Sequence, residues 1–335
     1  MGGCVSAAPE SALHRNGGIR RKLSKRSTPA SSIDELSSTD PVFAFRYKVV
    51  GKVLDLDADT ELFDGLDAYT GKKVSIKVSR LTNEMSVHRR AELRRKYVDE
   101  THILSCINHR NIINLVDYNE DGDKLIIISE HAEGGDLLDK LASAGSLVET
   151  DAKEIILRLV DALEYLHEKN IVHRDIQPEN IALRSVENLR EVALTNFALA
   201  ANTISRSLVK KVGNPMFMAP EVIKGQMFGK PADVWALGVV LYILVNGSFP
   251  FYSVDYDKLN ELITAGRFTS FRPHVSPDAR NLITNILCVD PLRRFSLQQI
   301  RDHDWMRSQR EAFAYPSVAG GEIAKSISHF SFELE

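Results

Sequence analysis

The sequence has few cysteines: Cys4, Cys106 and Cys288 are the only three among 335 residues. Their wide spacing fits neither a disulfide framework nor a zinc site, so we expect a reducing compartment. Cys106 and Cys288 lie in apolar runs, which predicts buried and unreactive thiols. Long hydrophobic runs are missing too. No stretch approaches the roughly 18 apolar residues of a membrane-spanning helix, and we expect no secretory signal because the first residues lack an apolar core.

An excess of charge of one sign is also absent. The chain has 42 Lys and Arg against 45 Asp and Glu, a formal net charge of −3. Proteins that wrap nucleic acid carry a strong positive excess, so we expect no nucleic-acid partner. With 44% hydrophobic residues, the chain can bury a large core and form one bilobal unit.

The first residues carry a pattern for lipid attachment. Residues 1–6 fit N-myristoylation at Gly2, and Cys4 is well placed for palmitoylation. One myristoyl chain gives only marginal membrane binding, so a second signal is needed. Besides Cys4, residues 14–27 form a basic run without any acid, made of Arg15, Arg20, Arg21, Lys22, Lys25 and Arg26. We therefore expect the cytoplasmic face of a membrane, most simply the plasma membrane. The alternative is a cytoplasmic protein in which Gly2 occurs by chance.

Composition and hydrophobic period divide the chain into a tail, a globular domain and a second tail. Residues 1–45 are rich in Ser, Gly and Ala, which predicts a flexible segment. The globular domain is predicted at 46–305 and a C-terminal tail at 306–335. Within the domain, a small β-rich lobe is predicted at 46–130 and a larger helical lobe at 131–305. The strands are predicted at 47–56, 74–78 and 125–129, and the two clearest helices at 89–106 and 151–169.

The most informative stretch reads His-Arg-Asp-Ile-Gln-Pro-Glu-Asn and runs from His173 to Asn180. Further landmarks follow in order and spacing: Val-Ser-Ile-Lys before it, then Ala-Pro-Glu, Asp-Val-Trp-Ala-Leu-Gly and a final His-Asp-Trp. With these landmarks, residues 46–305 resemble a Ser/Thr protein kinase domain, and the calmodulin-dependent group in particular. The resemblance implies an α+β bilobal protein kinase fold, and the ordered landmarks argue against an unrelated α+β adaptor. Calcium control is not implied, since no calcium-binding loop is present.

The resemblance also implies roles for individual residues, and ATP and Mg²⁺ as cofactors if the domain is active. Protein substrates or protein partners would follow from the same likeness. The implied catalytic residues are Lys77, Glu100, Asp175 and Asn180. The implied nucleotide-binding residues are Lys77, Ser75, Ala182 and Glu130, and the implied metal ligands are Asn180 and Asn196. The implied structural residues are Glu221, which would pair with Arg294, and Asp233.

The phosphate-binding loop departs from the family pattern. Its three glycines fall on Asp55, Asp57 and Thr60, with Asp59 between them. Side chains replace the open backbone that approaches phosphates, and these side chains are anionic. At about 4 Å, each unit charge beside a phosphate charge costs about 1 kcal/mol in water and about 4 kcal/mol at an effective dielectric of 20. We expect repulsion of the triphosphate, with no compensating cation.

The catalytic and metal segments depart as well. Asn196 stands where the family has the Mg²⁺-binding aspartate, and Gln177 where it has a lysine that contacts the transferred phosphate. Asn214 replaces a threonine that bridges the catalytic aspartate and that lysine, and Ala198 replaces a glycine. The adenine pocket has Ser75 where alanine is usual. The charges that balance a phosphoryl group are thus reduced.

Two readings of function remain open from the sequence. The first is a pseudokinase, a membrane-tethered signalling scaffold or allosteric regulator with impaired transfer chemistry. The second is a weakly active Ser/Thr kinase in which Asp175 is the base and Glu179 selects substrates with upstream basic residues. Ser205 and Ser207 are candidate phosphorylation sites in the activation segment.

Overall fold

A computed structural model describes residues 40–204 and 208–307 of this protein. Several sequence predictions lie outside the described residues and stay predictions. They concern Gly2, Cys4, the basic run at 14–27, Ser205, Ser207 and the tail beyond 307.

A five-stranded antiparallel sheet forms the first part of the domain, with strand order β1-β2-β3-β5-β4. Alternate residues of β3, namely Val74, Ile76 and Val78, are buried in one core cluster. Side chains alternate along a strand, so Ser75 and Lys77 face the other side of the sheet. The strands are β1 (Tyr47–Asp55), β2 (Thr60–Asp67), β3 (Lys73–Arg80), β4 (Leu115–Asp121) and β5 (Lys124–Glu130).

A short helix, α1 (Pro41–Arg46), precedes the sheet and lies partly inside the segment predicted as a flexible tail. The Asp40 carboxylate caps it by accepting hydrogen bonds from two backbone N–H groups in the first turn. Phe43 is buried against Tyr47, with ring centroids 5.0 Å apart. A polar cap and one buried aromatic side chain therefore order this turn, although it has no apolar period.

One long helix, α2 (Val87–Ser105), packs on the sheet. Ser86 caps its first turn by accepting the N–H of Arg89 at 3.1 Å. Its buried face is Leu93, Tyr97, Glu100, Thr101, Ile103 and Leu104. The prediction that Cys106 is a core thiol is wrong, because this residue is exposed. It is the C-cap of α2, where the chain leaves the buried face, and Cys288 is partly buried.

The rest of the described chain is mainly helical, which confirms the predicted α+β class with a β-rich part followed by a helical part. Helix α6 lies at the centre, because every residue from Asp233 to Asn246 is buried. The helices are α3 (Leu137–Ala144), α4 (Glu149–Glu168), α5 (Pro220–Ile223), α6 (Lys230–Asn246), α7 (Tyr256–Thr264), α8 (Pro277–Ile286), α9 (Leu297–Asp302) and α10 (Asp304–Arg307). Two small antiparallel sheets of two strands each pair β6 (Ile171–Val172) with β9 (Ala201–Asn202) and β7 (Ile181–Leu183) with β8 (Val192–Leu194).

None of the helices in residues 40–204 and 208–307 combines the length and the apolar character needed to cross a bilayer.

Candidate functional site

A buried ion pair joins the sheet to helix α2. The Lys77 ammonium on β3 lies 2.7 Å from Oε1 and 2.6 Å from Oε2 of Glu100 on α2. The side chains are 18% and 6% exposed, so this is not a surface ion pair. Glu100 lies on the buried face of its helix because Leu93, Tyr97 and Leu104 lie at helical spacing from it. The structure therefore brings together the two residues that the sequence predicts as partners.

Asp175 is held by neutral hydrogen-bond donors. Gln177 Nε2 donates to Oδ1 at 3.1 Å, and Asn180 Nδ2 donates to Oδ2 at 2.7 Å. The backbone N–H of Asn214 donates to the same carboxylate. Burial raises the pKa of Asp175 to about 6, and these hydrogen bonds oppose the rise without cancelling it. The carboxylate therefore lies in a setting that supplies donors but no positive charge.

The neutral donors extend into a chain of side-chain amides on both sides of Asp175. Asn196 Nδ2 donates to Oδ1 of Asn180 at 3.1 Å. Asn214 Nδ2 donates to Oε1 of Gln177 at 3.0 Å. We call Asn180, Asn196, Gln177 and Asn214 the amide set. No Lys, Arg or His in the described ranges makes an ion pair with Asp175. The departures from the family pattern at Gln177, Asn196 and Asn214 thus form one connected network with Asp175 and the retained Asn180.

Backbone geometry positions this network. Asn196 has φ of 61° and Gly213 has φ of 95°, both in the left-handed region. Asparagine tolerates that region better than most residues. At Gly213 a Cβ atom would lie 2.8 Å from the carbonyl oxygen of Arg174, so only glycine fits there. This close approach allows the next N–H, that of Asn214, to reach Asp175.

Asp233 anchors the loop that carries Asp175. Its carboxylate accepts the backbone N–H groups of His173 and Arg174, each at 2.9 Å, and lies 2.9 Å from Nε2 of His167. Burial alone would raise the pKa of Asp233. The His167 hydrogen bond and the backbone donors outweigh it and lower that pKa. The buried carboxylate stays charged because these three donors are turned toward it, and it fixes the entry into the predicted catalytic loop.

His173 and Phe197 form an apolar contact next to the network, with ring centroids 4.8 Å apart in an edge-to-face arrangement. Burial lowers the pKa of His173 to about 4. The ring is therefore neutral at pH 7, and its Nε2–H donates to the carbonyl oxygen of Thr195 at 3.0 Å. This contact ties the catalytic loop to the segment that carries Asn196.

Two acids at the loop between β1 and β2, Asp55 and Asp59, are paired with cations, which corrects one expectation from the sequence. Asp59 Oδ2 accepts from two guanidinium nitrogens of Arg89 at 2.8 and 3.0 Å. Asp55 lies 2.6 Å from the Lys52 ammonium. The prediction that no compensating cation is present is therefore wrong. The reason is tertiary: the start of α2 lies beside this loop, although Arg89 is 30 residues from Asp59 in sequence.

The predicted nucleotide-binding residues fall into two groups. Ser75 lies on the same face of β3 as Lys77, and its Oγ is 3.3 Å from Nδ1 of His131. Ala182 is 8% exposed and packs with apolar neighbours. The Glu130 carboxylate, in contrast, is bound to Asn114 and, at 3.0 Å, to Arg184. These contacts hold neighbouring segments of the chain together and engage the Glu130 side chain. The contact of His131 with Ser75 adds a residue to this group that the sequence did not predict.

The last predicted pair, Glu221 and Arg294, forms a buried double hydrogen bond. The two N–O distances are 2.8 and 2.9 Å, and the side chains are 3% and 0% exposed. The Arg294 guanidinium also lies over the ring of Trp235, 5.1 Å from its centroid. The pair ties the end of the activation segment to the segment after α8.

These landmarks recur in a known family. The protein kinase domain family matches residues 60–306, which is most of this chain. This chain belongs to the protein kinase family. The kinase domain resembles Ser/Thr kinases, as the sequence predicted, and calmodulin-dependent kinases are among its relatives.

Three curated relatives illustrate the likeness. The chain is 36% identical over 214 residues to myosin light chain kinase A of Dictyostelium discoideum, covering 62% of this chain and 72% of that protein. It is 33% identical over 211 residues to calcium/calmodulin-dependent protein kinase type 1 of Macrobrachium nipponense, covering 62% and 61%. It is 32% identical over 267 residues to a probable serine/threonine-protein kinase of Dictyostelium discoideum, covering 79% and 31%. The match spans less than two thirds of the length of two of these relatives.

Protein kinases hold Mg²⁺ through an aspartate and the catalytic-loop asparagine. The residue predicted at the aspartate position is Asn196, and its amide nitrogen is turned toward the oxygen of Asn180, the other predicted metal ligand. Among the described residues, no group of three or more His, Cys, Asp or Glu side chains is arranged around a metal site. Mg²⁺ prefers anionic oxygen ligands, so this donor set does not fit a tightly held ion.

Proposed function

We propose that this kinase-family protein is a pseudokinase: a membrane-tethered scaffold or allosteric regulator whose phosphoryl-transfer chemistry is impaired. The observation that carries the proposal is the hydrogen-bonded chain of amides around Asp175. It occupies the place where the family pattern has a lysine and a metal-binding aspartate.

The physical reason is the lack of charge. Phosphoryl transfer depends mainly on positioning and on cations that stabilise the charge of the transferred group. Gln177 and Asn196 keep the size and hydrogen bonding of the family residues but supply neither a cation nor an anionic metal ligand. If these losses together remove about 5 kcal/mol of transition-state stabilisation, the rate falls by roughly 10³- to 10⁴-fold.

The shape of the domain supports a role in binding. The Lys77–Glu100 pair holds helix α2 on the sheet, and the His173–Phe197 contact holds the two catalytic segments together. A surface held in one arrangement loses little conformational entropy when a partner binds. The partners in this proposal are proteins.

A second candidate is a weakly active Ser/Thr kinase, and one observation favours it. Arg89 and Lys52 offset two acids of the phosphate loop, Asp59 and Asp55, which reduces the expected repulsion of ATP. In this version Asn180 and Asn196 hold Mg²⁺ weakly and Asp175 is the base. Glu179 then favours substrates with upstream basic residues.

Thermal unfolding with ATP, with and without Mg²⁺ or Mn²⁺, tests the two candidates together with a phosphate-transfer assay. The pseudokinase proposal expects no metal-dependent rise in unfolding temperature and no transfer above that of an Asp175→Asn variant. Metal-dependent stabilisation, with transfer that disappears in Asp175→Asn, would contradict it and favour the weak kinase.

The membrane part of the proposal rests on Gly2, Cys4 and the basic run at 14–27. In cells, Gly2→Ala should move the protein from the membrane to the soluble fraction, because both acyl signals depend on myristoylation in this arrangement. Unchanged membrane recovery of Gly2→Ala would count against acyl tethering.

A further inference from the structure

Three apolar side chains are exposed together on the β-rich lobe. Val42, Phe45 and Tyr69 are 61%, 64% and 61% exposed. Val42 and Phe45 lie three residues apart on α1 and hence on one side of that helix. The rings of Phe45 and Tyr69 are in contact, with centroids 6.2 Å apart. We call these three residues the aromatic patch.

Ordered elements hold the aromatic patch in place. Phe43 buries the other side of α1, as described above. The Arg46 guanidinium lies 5.8 Å from the centroid of the Tyr69 ring and bonds Asp67 at 3.1 Å. Asp67 also accepts the backbone N–H of Tyr69 at 3.0 Å. The side chains are thus exposed on a fixed base, so their exposure does not come from a loose loop.

Lysines accompany the patch. Lys72 lies in the same β2–β3 turn as Tyr69, and Lys48 follows α1 on β1; both are exposed. Within the part of the chain that the structure describes, neither lysine has an acidic partner at ion-pair distance. The nearby acids Asp67 and Asp117 both contact the Arg46 guanidinium, at 3.1 and 3.5 Å. Lys48 and Lys72 therefore stay available to an anionic surface beside the apolar side chains.

The position of the aromatic patch along the chain favours a lipid surface as its partner. Asp40, which caps α1, follows directly on the segment that carries the basic run and Gly2. The last basic residue of the run, Arg26, is 14 residues before Asp40. Fully extended, that length spans at most about 50 Å. A lipid-bound tail therefore keeps the patch close to the bilayer and raises its effective concentration there.

We propose that the aromatic patch, with Lys48 and Lys72, is a second membrane contact that lies at the headgroup level of an anionic bilayer. This inference rests on the proposed membrane tether and extends it from the tail to the folded domain. Aromatic side chains favour the headgroup region because one end is apolar and the other polar, and lysines are attracted to anionic lipid. The face of α1 and the β2–β3 turn then lies on the membrane.

Vesicle sedimentation of the full chain tests the proposal, with vesicles of phosphatidylcholine alone or with about 30% phosphatidylserine as the anionic lipid. The test variant is Phe45→Ser/Tyr69→Ser. The matched control is Val87→Ser/Leu292→Ser, which removes two apolar side chains that are 84% and 93% exposed elsewhere. Each is made with myristoylated Gly2 and with Gly2→Ala.

The patch variant should bind phosphatidylserine vesicles roughly tenfold more weakly than the control in both Gly2 backgrounds, because two inserted side chains are lost. Equal binding by patch variant and control would overturn the proposal. The two hypotheses separate cleanly. If Gly2→Ala weakens binding and the patch variant does not, the tether stands and the patch fails. If only the patch variant weakens binding, the patch stands and the acyl tether fails.

Phe45→Trp gives a readout that needs no loss of binding. Tryptophan fluorescence of this variant, corrected for the parent protein, should be quenched by vesicles containing brominated lipid. Absence of added quenching in vesicle-bound protein would contradict insertion.

Light scattering shows whether a second copy of the chain covers the aromatic patch instead. A dimer that is lost in Phe45→Ser/Tyr69→Ser, without any change in vesicle binding, would also overturn the proposal.

Discussion

Two regions of this kinase domain retain the family pattern to different degrees. One is a set of charged pairs, and the other is the group of residues around Asp175, which we call the uncharged centre. Lys77–Glu100, Glu221–Arg294 and the anchored Asp233 keep their charges and their partners. We call these the charged frame. Around Asp175, in contrast, every side-chain donor is a neutral amide. The charged pairs and the residues around Asp175 are thus different sets of residues, and under the proposed function the transfer chemistry has changed while the shape has been kept.

The two regions also differ in what hydrogen bonds alone can supply. In the charged frame, burial makes each ion dependent on its partner, so removing one partner is costly. In the amide set, each side chain is well bonded, and the network is compatible with a stable fold. Neutral donors do not replace the charge that a triphosphate and its metal require. A stable fold is therefore compatible with the impaired transfer chemistry that we propose.

The largest expected effect on stability comes from removing one member of a pair in the charged frame. Glu221→Ala leaves the fully buried Arg294 without its partner and should lower the free energy of unfolding by about 3–5 kcal/mol. Urea unfolding measures this change. Arg190→Ala is the matched control, because its pair with Asp151 is more than half exposed on the arginine side, and it should cost less than about 1 kcal/mol. Similar decreases in the free energy of unfolding in both variants would show that the buried pair contributes no more to stability than the exposed one.

A smaller effect tests the uncharged centre through pH. The pKa of Asp175 is raised to about 6 in the folded protein, above its ordinary value near 3.8. The folded state therefore holds this proton more tightly than the unfolded state. The native protein should lose stability relative to Asp175→Asn as pH rises from about 4 to about 6, by on the order of 1–3 kcal/mol.

Urea unfolding of both proteins across that pH range gives the difference directly, because other titrating groups are shared. A difference that is constant with pH would mean that Asp175 titrates normally. A difference of the opposite slope would mean that an undetected cation lies near it.

The smallest effect concerns the acidic loop. Arg89→Gln removes the partner of Asp59, and since this pair is partly exposed, stability should change by less than about 1 kcal/mol. Hydrogen exchange in residues 56–59 should nevertheless become faster, because the loop loses its contact with α2. Arg95→Gln, an exposed arginine on the same helix, is the control and should leave exchange unchanged. Equal exchange in both variants would show that Asp59 does not hold the loop.

Much of the fold was predictable because its landmarks are local. The predicted strand at 74–78 and helix at 89–106 match β3 and α2 within a few residues, since alternation and helical spacing are visible in a short window. Strand β2 was missed. It contains Gly65 and several acids, and the glycine is required because a Cβ atom there would overlap the side chain of Ile76 on β3. That reason exists only in the assembled sheet.

The site was predictable where one residue type implies one role, and less so where distant side chains meet. Lys77, Glu100, Glu221 and Arg294 were identified with their partners. The Asp59–Arg89 contact was not, because nothing in a 30-residue separation indicates that the loop and the helix start are adjacent. The Gln177–Asn214 hydrogen bond similarly joins residues 37 positions apart. Here the resemblance to the kinase family had already placed both residues in one hydrogen-bond set, and the structure adds the bond between their side chains.

Calorimetric titration of ATP, with and without Mg²⁺, tests most directly whether the uncharged centre limits the chemistry. The comparison is between the native protein and Gln177→Lys/Asn196→Asp, which restores the two missing charges. We expect the native Kd to be about the same in both conditions, whereas the restored variant should bind roughly tenfold or more tightly with Mg²⁺. A native protein that gains as much affinity from Mg²⁺ as the restored variant would contradict the account.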